Sequence, residues 1–259
     1  MGRAGRKAVK RALRMVDKPS FVIANAENAA GGFGLTKKVY QELLDTGVNV
    51  LTGGNHIWDK GQVSRERDHF KMLATPINLR KDPMAVVHLD IEGLPFTVMN
   101  VVGRVFMPPG AGDPFKAFDE IYEKEKCEGR VVIVDFHAEA TSEKNALAEY
   151  VNGRAAAVIG THTHVQTADG RILPNGTFFM SDAGSCCALN SILGMTVESS
   201  LARFLTEDSG RIHVELNGPY MFNGVELEID SESKKVTAFK RLRSVIEAVK
   251  STKSTKPAE

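Results

Sequence analysis

One junction in the chain decides the fold, and it reads RVVIVDFHAEATSEK over residues 130–144. Residues 131–134 are all β-branched, which is typical of a central strand that is buried on both faces. Asp135, His137 and Glu139 follow within five residues, and a helical pattern comes next. This order predicts an α/β fold that carries functional side chains at the carboxyl ends of its strands.

Three other predicted strands end in the same way. Short apolar runs over residues 21–24, 48–52 and 155–159 predict them. Glycines accompany the polar residues at each strand end, but residues 31–34 match neither the dinucleotide-binding nor the P-loop spacing. Asn and His also occur as ordinary turn residues, so a structural role remains the alternative. The polar residues that follow the three strands are Glu27, Asn28, Asn55, His56, His162 and His164.

The stretch GTHTH at residues 160–164 contains two of these histidines. On a strand, side chains at i and i+2 point to the same face, and a sharp turn would also let both rings converge. Neutral imidazole binds zinc, iron and manganese. The pair alone is a weak signal, because most single histidines are structural. The prediction of a metal site therefore depends on the oxygen and nitrogen donors at the other strand ends.

Composition limits the classes of function. The chain has 259 residues, which suits one large domain or two small ones. Lys plus Arg number 33 and Asp plus Glu number 32, so net charge does not favour nucleic acid or a membrane as a partner. No apolar run approaches the ~18 residues that a membrane span needs. Three cysteines are no disulfide framework, which favours the cytoplasm.

The N-terminus is rich in arginine and lysine and lacks acidic residues. A transit peptide is one interpretation, and the solvated face of a first helix that ends near Val16 is the favoured one. The glycines within residues 1–6 predict a loop before that helix. Further helices are predicted over residues 36–46, 115–126 and 197–206, further strands over 85–91, 96–102 and 177–180, and a closing hairpin over 225–229 and 236–241.

These strand-end motifs, in this order, resemble those of the calcineurin-like metallophosphoesterases, and most closely the bacterial YmdB-type branch. The matching pieces are NAENAAGG at 25–32, GNHIW at 54–58, DFHAEATSEK at 135–144 and GTHTHVQTAD at 160–169. The resemblance implies a sandwich of two mixed β-sheets flanked by α-helices. It also implies a cytoplasmic, metal-dependent phosphodiesterase that hydrolyses phosphodiesters such as 2′,3′-cyclic nucleotides with a water activated by two metal ions.

The resemblance assigns roles to the strand-end residues. The two ions would be iron or manganese, with zinc as a third choice. His56 would be the acid that protonates the leaving alkoxide. The implied metal ligands are Glu27, bridging both ions; Asn55, His137 and His162, with Asn28 nearby, at one ion; and His164 at the other.

Two departures from the family pattern lead to further expectations. Such families open with a strand that ends in an Asp ligand, and here that strand would precede Met1. The expected organisation is thus a metallophosphoesterase domain over residues 1–245 without its first strand, and a disordered tail over 246–259. Ser185-Cys186-Cys187-Ala188 stands where relatives carry a Gly-Pro loop, so it is interpreted as a divergent loop, with metal binding by the cysteines as the alternative.

Other functions and assemblies remain open at this stage. A phosphomonoesterase or nucleotidase would use the same metal core. A catalytically weak regulatory protein would keep the fold without turnover. The expected partners are a phosphodiester or nucleotide substrate, without membrane or specific nucleic-acid binding, and a homo-oligomer is allowed.

Overall fold

The computed structural model describes residues 2–16, 19–79, 86–206 and 210–247. It confirms the expected mixed α/β architecture, and the described strands divide among three sheets. The strands are β1 (Ile23–Asn25), β2 (Val50–Thr52), β3 (Leu73–Ala74), β4 (Val86–Ile91), β5 (Leu94–Val102), β6 (Val131–His137), β7 (Ala157–Thr161), β8 (Arg171–Ile172), β9 (Phe178–Met180), β10 (Cys187–Ala188), β11 (Tyr220–Ile229) and β12 (Val236–Ile246). The helices are α1 (Gly2–Ala12), α2 (Lys37–Leu44), α3 (Gln62–Arg65), α4 (Pro114–Lys124), α5 (Thr141–Tyr150) and α6 (Val197–Leu205), and Arg67–His69 form a 3-10 turn.

The largest sheet has the strand order β4-β5-β6-β7-β9-β8. Strand β6 lies inside it, and every residue of β6 is buried, as its run of β-branched side chains predicts. Its parallel pairing with β5 and β7 places His137 opposite Val102 on one side and Thr161 on the other. The carboxyl ends of these strands therefore meet at one edge of the sheet.

The strands of a smaller sheet, of order β1-β2-β3, are parallel to one another, so their carboxyl ends also share one edge. Helix α2 follows β1 and packs Val39, Tyr40 and Leu43 into an apolar core beside this sheet. The hydroxyl of Thr36 caps the helix by accepting from the N–H of Val39 at 3.4 Å, which confirms the predicted start. The sheet places Glu27, Asn28, Asn55 and His56 immediately after its strands.

The third sheet is antiparallel, of order β10-β11-β12, and it corrects two expectations. The closing hairpin is longer than predicted, because β11 begins at Tyr220 and β12 continues to Ile246. Ile246 is buried and packs with Ala8 and Ala12 of α1, so the expected tail does not begin at residue 246. Residues 248–259 of that tail lie outside the described part of the chain.

The N-terminus also differs from its prediction. Residues 2–6 belong to α1, not to a loop, and the helix ends at Ala12, short of Val16. Tertiary packing explains the glycines: a Cβ on Gly5 would lie 3.0 Å from the carbonyl oxygen of Cys186, so only a residue without a side chain lets the helix approach this closely. The strand expected before Met1 stays a prediction.

Two features of the surface bear on partners. No helix within the described residues is both long and apolar enough to cross a membrane. Helix α6 leaves an apolar stripe exposed, made of Val197, Leu201, Phe204 and Leu205. The stripe has no covering element among the residues described above, and the expectation of a homo-oligomer stays a prediction.

Gly160 lets β7 approach the segment after β9. A Cβ on this glycine would lie 1.8 Å from the carbonyl oxygen of Ser181, which is deep inside van der Waals contact. We expect Gly160→Ala to lower the free energy of unfolding by about 3 kcal/mol or more, at or beyond the upper end for overpacked sites. Urea denaturation followed by circular dichroism measures this. Gly210→Ala is the control, because no atom lies within 4 Å of its Cβ position, and equal stability of the two variants would contradict the packing argument.

Asp169 ties the loop after β7 to the end of β9. Its carboxylate accepts from the N–H of Ser181 at 3.1 Å and from the Ser181 hydroxyl at 2.5 Å. Burial alone would raise the pKa of Asp169, but these hydrogen bonds and one from Thr167 bring it below its ordinary value. A lowered pKa stabilises the fold above the unfolded-state value and ceases to do so as pH falls through the folded-state value.

We therefore expect Asp169→Asn to cost about 1 kcal/mol of unfolding free energy at pH 7, the usual net value of such hydrogen bonds at a partly exposed site. The difference from the parent protein should persist at pH 5 and shrink below pH ~4, where the unfolded Asp takes up a proton. Urea midpoints at pH 7, 5 and 3.5 test this. Asp68→Asn, at an exposed position, is the control, and a pH-independent difference would be the wrong outcome.

Candidate metal centre

The predicted site residues come together where two sheets meet. Glu27, Asn55 and His56 lie on loops that follow β1 and β2 of the small parallel sheet. His137 ends β6 and His162 follows β7 of the large sheet. His137 joins the two groups, because its Nε2 lies 3.0 Å from Glu27 and 3.1 Å from Asn55, so the strand-end argument correctly predicts their convergence.

Glu27 is the buried carboxylate of this cluster, with 1% of its surface exposed. Its Oε2 lies 3.0 Å from Nε2 of His137, and its Oε1 accepts from the backbone N–H of His56 at 2.7 Å. Burial alone would raise the pKa of Glu27, but the His137 ring and the His56 N–H outweigh it and bring the pKa below the ordinary value. The position therefore favours a carboxylate anion.

Nε2 of His137 is surrounded by acceptor atoms. Besides Glu27, it lies 3.1 Å from Oδ1 of Asn55 and 3.1 Å from Nδ1 of His162. One nitrogen carries at most one proton, so it cannot donate a good hydrogen bond to all three neighbours. Burial alone would lower the pKa of His137, but the Glu27 carboxylate outweighs it and raises the pKa.

His162 and His164 lie in a turn after β7, not on the strand itself. Their φ angles are 99° and 68°, in the left-handed region that non-glycine residues rarely adopt. The turn points the two rings to separate parts of the site. His162 lies between His137 and Glu139, whose carboxylate is 3.1 Å from Nε2 of His162, whereas Nε2 of His164 lies 3.3 Å from Nδ2 of Asn28. The expected split of the pair between two positions is consistent with this geometry.

The carboxylate of Asp182 holds this turn in place. Its Oδ2 accepts from the N–H of Thr163 at 2.9 Å and from the Thr163 hydroxyl at 2.8 Å, between the two histidines. Nζ of Lys144 lies 3.5 Å from the same oxygen, and both side chains of this ion pair are almost fully buried. Burial lowers the pKa of Lys144, and the nearby carboxylate opposes that shift. These contacts stabilise the turn in which His162 and His164 both adopt left-handed φ angles.

The electrostatics of the two histidines suit metal binding. Burial lowers the pKa of His162, and neighbouring His137 lowers it further. Burial likewise lowers the pKa of His164. Both rings therefore favour the neutral form that metal ions require. Asn28, beside His164, has a buried Oδ1 without a hydrogen-bond partner, and a cation would satisfy this atom.

His56 lies at the edge of the cluster and is more exposed than the other residues. Its Nδ1 lies 2.8 Å from Oδ2 of Asp59, three residues later. This contact occupies Nδ1 and leaves Nε2 to face a ligand. The ring of Phe33 packs edge-on against the imidazole, with 5.3 Å between ring centroids, and Phe33 itself is 43% exposed.

Gly54 is required by the close approach of these groups. A Cβ there would lie 2.5 Å from Oε1 of Glu27 and 2.6 Å from Cε1 of His137. Any side chain would displace both residues. The Gly-Asn-His motif therefore combines two donor residues with the space that lets β2 reach the site.

The residues fit a bound metal ion by their donor chemistry. The site offers one carboxylate, two amide oxygens and three imidazoles, a set typical of iron, manganese and zinc. No group of three or more His, Cys, Asp or Glu side chains among the described residues is placed to hold a metal ion. Glu27, Asn55 and His162 instead each contact Nε2 of His137 directly.

Sequence analysis did not identify the residues that support the site. Asp59 contacts His56 at the i+3 spacing, which is a signal in the sequence. The carboxylate of Asp135 accepts from the hydroxyls of Thr52 and Thr161. The Cys186 thiol lies against the carbonyl of Asn223 at 3.8 Å, and burial raises its pKa, which disfavours a thiolate ligand.

Comparison with known proteins gives a consistent result. A family model described as "YmdB-like protein" matches residues 1–242. The "2′,3′-cyclic-nucleotide 2′-phosphodiesterase" of Bacillus subtilis (strain 168) is 41% identical over 247 residues, covering 93% of each chain. A crystal structure of a hypothetical protein from Thermus thermophilus has a TM-score of 0.85 at 37% identity and covers 95% of this chain and 96% of that one. A novel phosphatase from Mycoplasma pneumoniae has a TM-score of 0.87 at 33% identity, covering 95% and 90%.

The Asp182 contacts generate a test of the turn. In Asp182→Asn, the buried Lys144 loses its anion, so we expect the free energy of unfolding to fall by about 3–5 kcal/mol, as for other broken buried pairs. Relaxation of the turn should also weaken Mn²⁺ binding, measured by calorimetry at a temperature where the variant is folded. Asp119→Asn is the control, because its pair with Arg154 is at the surface and should cost no more than about 1 kcal/mol. An Asp182→Asn protein with parental stability and affinity would refute the role given to this carboxylate.

Proposed function

Because the chain belongs to the YmdB-like family and is a phosphoric ester hydrolase, we propose that it hydrolyses phosphodiesters of the 2′,3′-cyclic nucleotide type with the aid of two bound metal ions. This membership confirms the resemblance drawn from the sequence motifs. In the proposed reaction, water adds to phosphorus, the bond to the 2′ oxygen breaks, and that oxygen takes up a proton. The product is a nucleoside 3′-phosphate, in keeping with the name of the Bacillus subtilis relative.

The observation that carries the proposal is the convergence of donor atoms around Nε2 of His137. Three further atoms lie within 3.0–3.1 Å of this nitrogen, and each presents a lone pair or shares a proton. Such a point attracts a cation of higher charge than a proton. Bound ions would neutralise phosphate charge and acidify a water molecule.

The proposal gives each donor a place in the site. Asn55, His137 and His162 would hold one ion, His164 would hold the second, and Glu27 would contribute its carboxylate to both. Asn28 contacts His164 and contributes its unpartnered buried oxygen to the same region. Iron or manganese is the favoured metal, and zinc also suits these donors.

His56 is proposed as the general acid. Its backbone N–H is fixed by Glu27, so the ring stands beside the donor cluster. The carboxylate of Asp59 accepts a hydrogen bond from Nδ1 of His56. Its negative charge would stabilise the doubly protonated ring that a general acid requires. Nε2 then delivers its proton to the departing ribose oxygen. The exposed ring of Phe33 beside His56 offers a stacking surface for a nucleobase, which supports a nucleotide substrate.

A monoesterase is the second candidate, because the Mycoplasma pneumoniae relative is described as a phosphatase. Product analysis separates the two reactions. A phosphodiesterase converts 2′,3′-cyclic AMP to 3′-AMP and stops, whereas a monoesterase continues to adenosine and inorganic phosphate. Release of phosphate from 3′-AMP at the rate of ring opening would favour the second candidate.

The role of His56 gives the sharpest test. We expect His56→Gln to lower kcat/KM for 2′,3′-cyclic AMP by about 10²–10⁴-fold, because a ribose alkoxide leaves poorly without a proton. The loss for bis(4-nitrophenyl) phosphate should be much smaller, since nitrophenolate leaves without help. Steady-state kinetics of the Mn²⁺-loaded protein on both substrates measure the ratio.

One control variant and two contrary outcomes make this test decisive. His88→Gln changes a histidine that pairs with Glu125 on the surface, so it should leave both rates unchanged. Equal losses on both substrates in His56→Gln would contradict a role in acid catalysis. Full metal occupancy of the parent protein without turnover of either diester would overturn the proposed reaction and favour the regulatory alternative.

The proposal extends to the compartment. Cys127, Cys186 and Cys187 are free thiols, and a reducing cytoplasm keeps them so. Cytoplasmic 2′,3′-cyclic nucleotides would then be accessible to the enzyme without an export step.

A further inference from the structure

The hydroxyl of Thr161 lies between the His137 ring and a buried carboxylate. Its Oγ1 is 3.0 Å from Nδ1 of His137 and 2.7 Å from Oδ1 of Asp135. The three groups therefore form a continuous hydrogen-bonded chain. It approaches His137 from the side opposite to the donor cluster, since Nδ1 and Nε2 lie on different edges of the ring.

The number of protons fixes the direction of this chain. A hydroxyl has one hydrogen, and Thr161 donates it to Asp135. Thr161 can then only accept from His137, so Nδ1 of the ring carries a proton. When this is the only proton of the ring, Nε2 presents its lone pair towards Glu27 and Asn55.

Asp135 is held so that it acts as an acceptor. Its Oδ2 accepts from the Thr52 hydroxyl at 2.5 Å and from Nδ2 of Asn25 at 2.9 Å. With the Thr161 hydroxyl, three donors therefore point at this one carboxyl group, and all three use it as their acceptor.

The sheet itself sets the spacing of the three residues. Strands β6 and β7 pair in parallel with His137 opposite Thr161, and Asp135 lies two residues before His137 on the same strand. Nζ of Lys144 also donates to the carbonyl oxygen of Thr161 at 2.9 Å. The backbone thus holds the Thr161 hydroxyl within hydrogen-bond distance of both Asp135 and His137.

We infer that Asp135 and Thr161 are positioning residues that fix the Nδ1–H tautomer and the orientation of His137, and so present its Nε2 to a metal ion. The inference rests on the proposed function in one respect only, the assignment of His137 as a ligand. Partners of this kind around metal-binding histidines contribute about 10–100-fold in affinity or activity.

The experiment compares three variants of hydroxyl residues that contact Asp135. Thr161→Val removes the chain with little change of shape. Thr161→Ser restores the hydroxyl. Thr52→Val is the matched control, because Thr52 donates to the same carboxylate but does not contact His137. Circular dichroism and thermal unfolding of the metal-free proteins show that each variant is folded.

The first readout is the dissociation constant of Mn²⁺, measured by calorimetry. We expect Thr161→Val to bind Mn²⁺ about 10–100-fold more weakly, Thr161→Ser to bind nearly as the parent does, and Thr52→Val to lose much less than Thr161→Val. Parental affinity in Thr161→Val, or equal losses in both valine variants, would overturn the inference.

The second readout does not require a metal. Nitrogen-15 NMR of the metal-free protein at pH 9 distinguishes the two imidazole tautomers, and His137→Gln assigns the resonances. We expect a proton on Nδ1 of His137 in the parent and in Thr161→Ser, and its partial loss from Nδ1 in Thr161→Val. A parent ring whose Nδ1 carries no proton would overturn the inference. A parent that binds no Mn²⁺ but has the Nδ1–H form would instead overturn the proposed function and leave the inference supported.

Discussion

Acceptor atoms outnumber protons at the point where two sheets meet, and the rest of the site depends on this imbalance. Glu27 and Asn55 come from one sheet, and both face Nε2 of His137 from the other. In an ordinary core such atoms would be paired with donors, because buried lone pairs that face each other repel. The fold instead brings them together through strand ends that share an edge. The surrounding residues therefore have one common task, which is to keep these lone pairs converged.

Several buried groups perform that task from outside the cluster. Asp182, paired with Lys144, holds Thr163 and thereby keeps His162 and His164 in backbone conformations that they would rarely adopt alone. Gly54 leaves space where any side chain would collide with the Glu27 carboxylate and the His137 ring. The site thus depends on the β6–β7–β9 framework, and its ligands belong to a larger buried polar network.

The sequence predicts the metal-donor residues better than the residues that hold them in position. Strand ends are readable from apolar runs, and parallel strands share an edge, so Glu27, Asn55 and His137 could be placed together. Contacts between distant strands leave no local pattern, as for Asp135 and Thr161, which lie 26 positions apart. Packing also overrides local preference at Gly5, where a glycine lies inside a helix because the Cys186 carbonyl leaves no room for a side chain. The assignment of each donor to a particular ion stays a prediction.

The division of the ligands between two sheets has a thermodynamic consequence. An ion held by Glu27 and Asn55 on one side and by His137 and His162 on the other would be a reversible cross-link between separately formed layers. Because the metal ion would bind only when the two sheets are assembled, its concentration would set, by mass action, how often the sheets separate. The availability of metal in the cell would then control the lifetime of the folded protein as well as its chemistry.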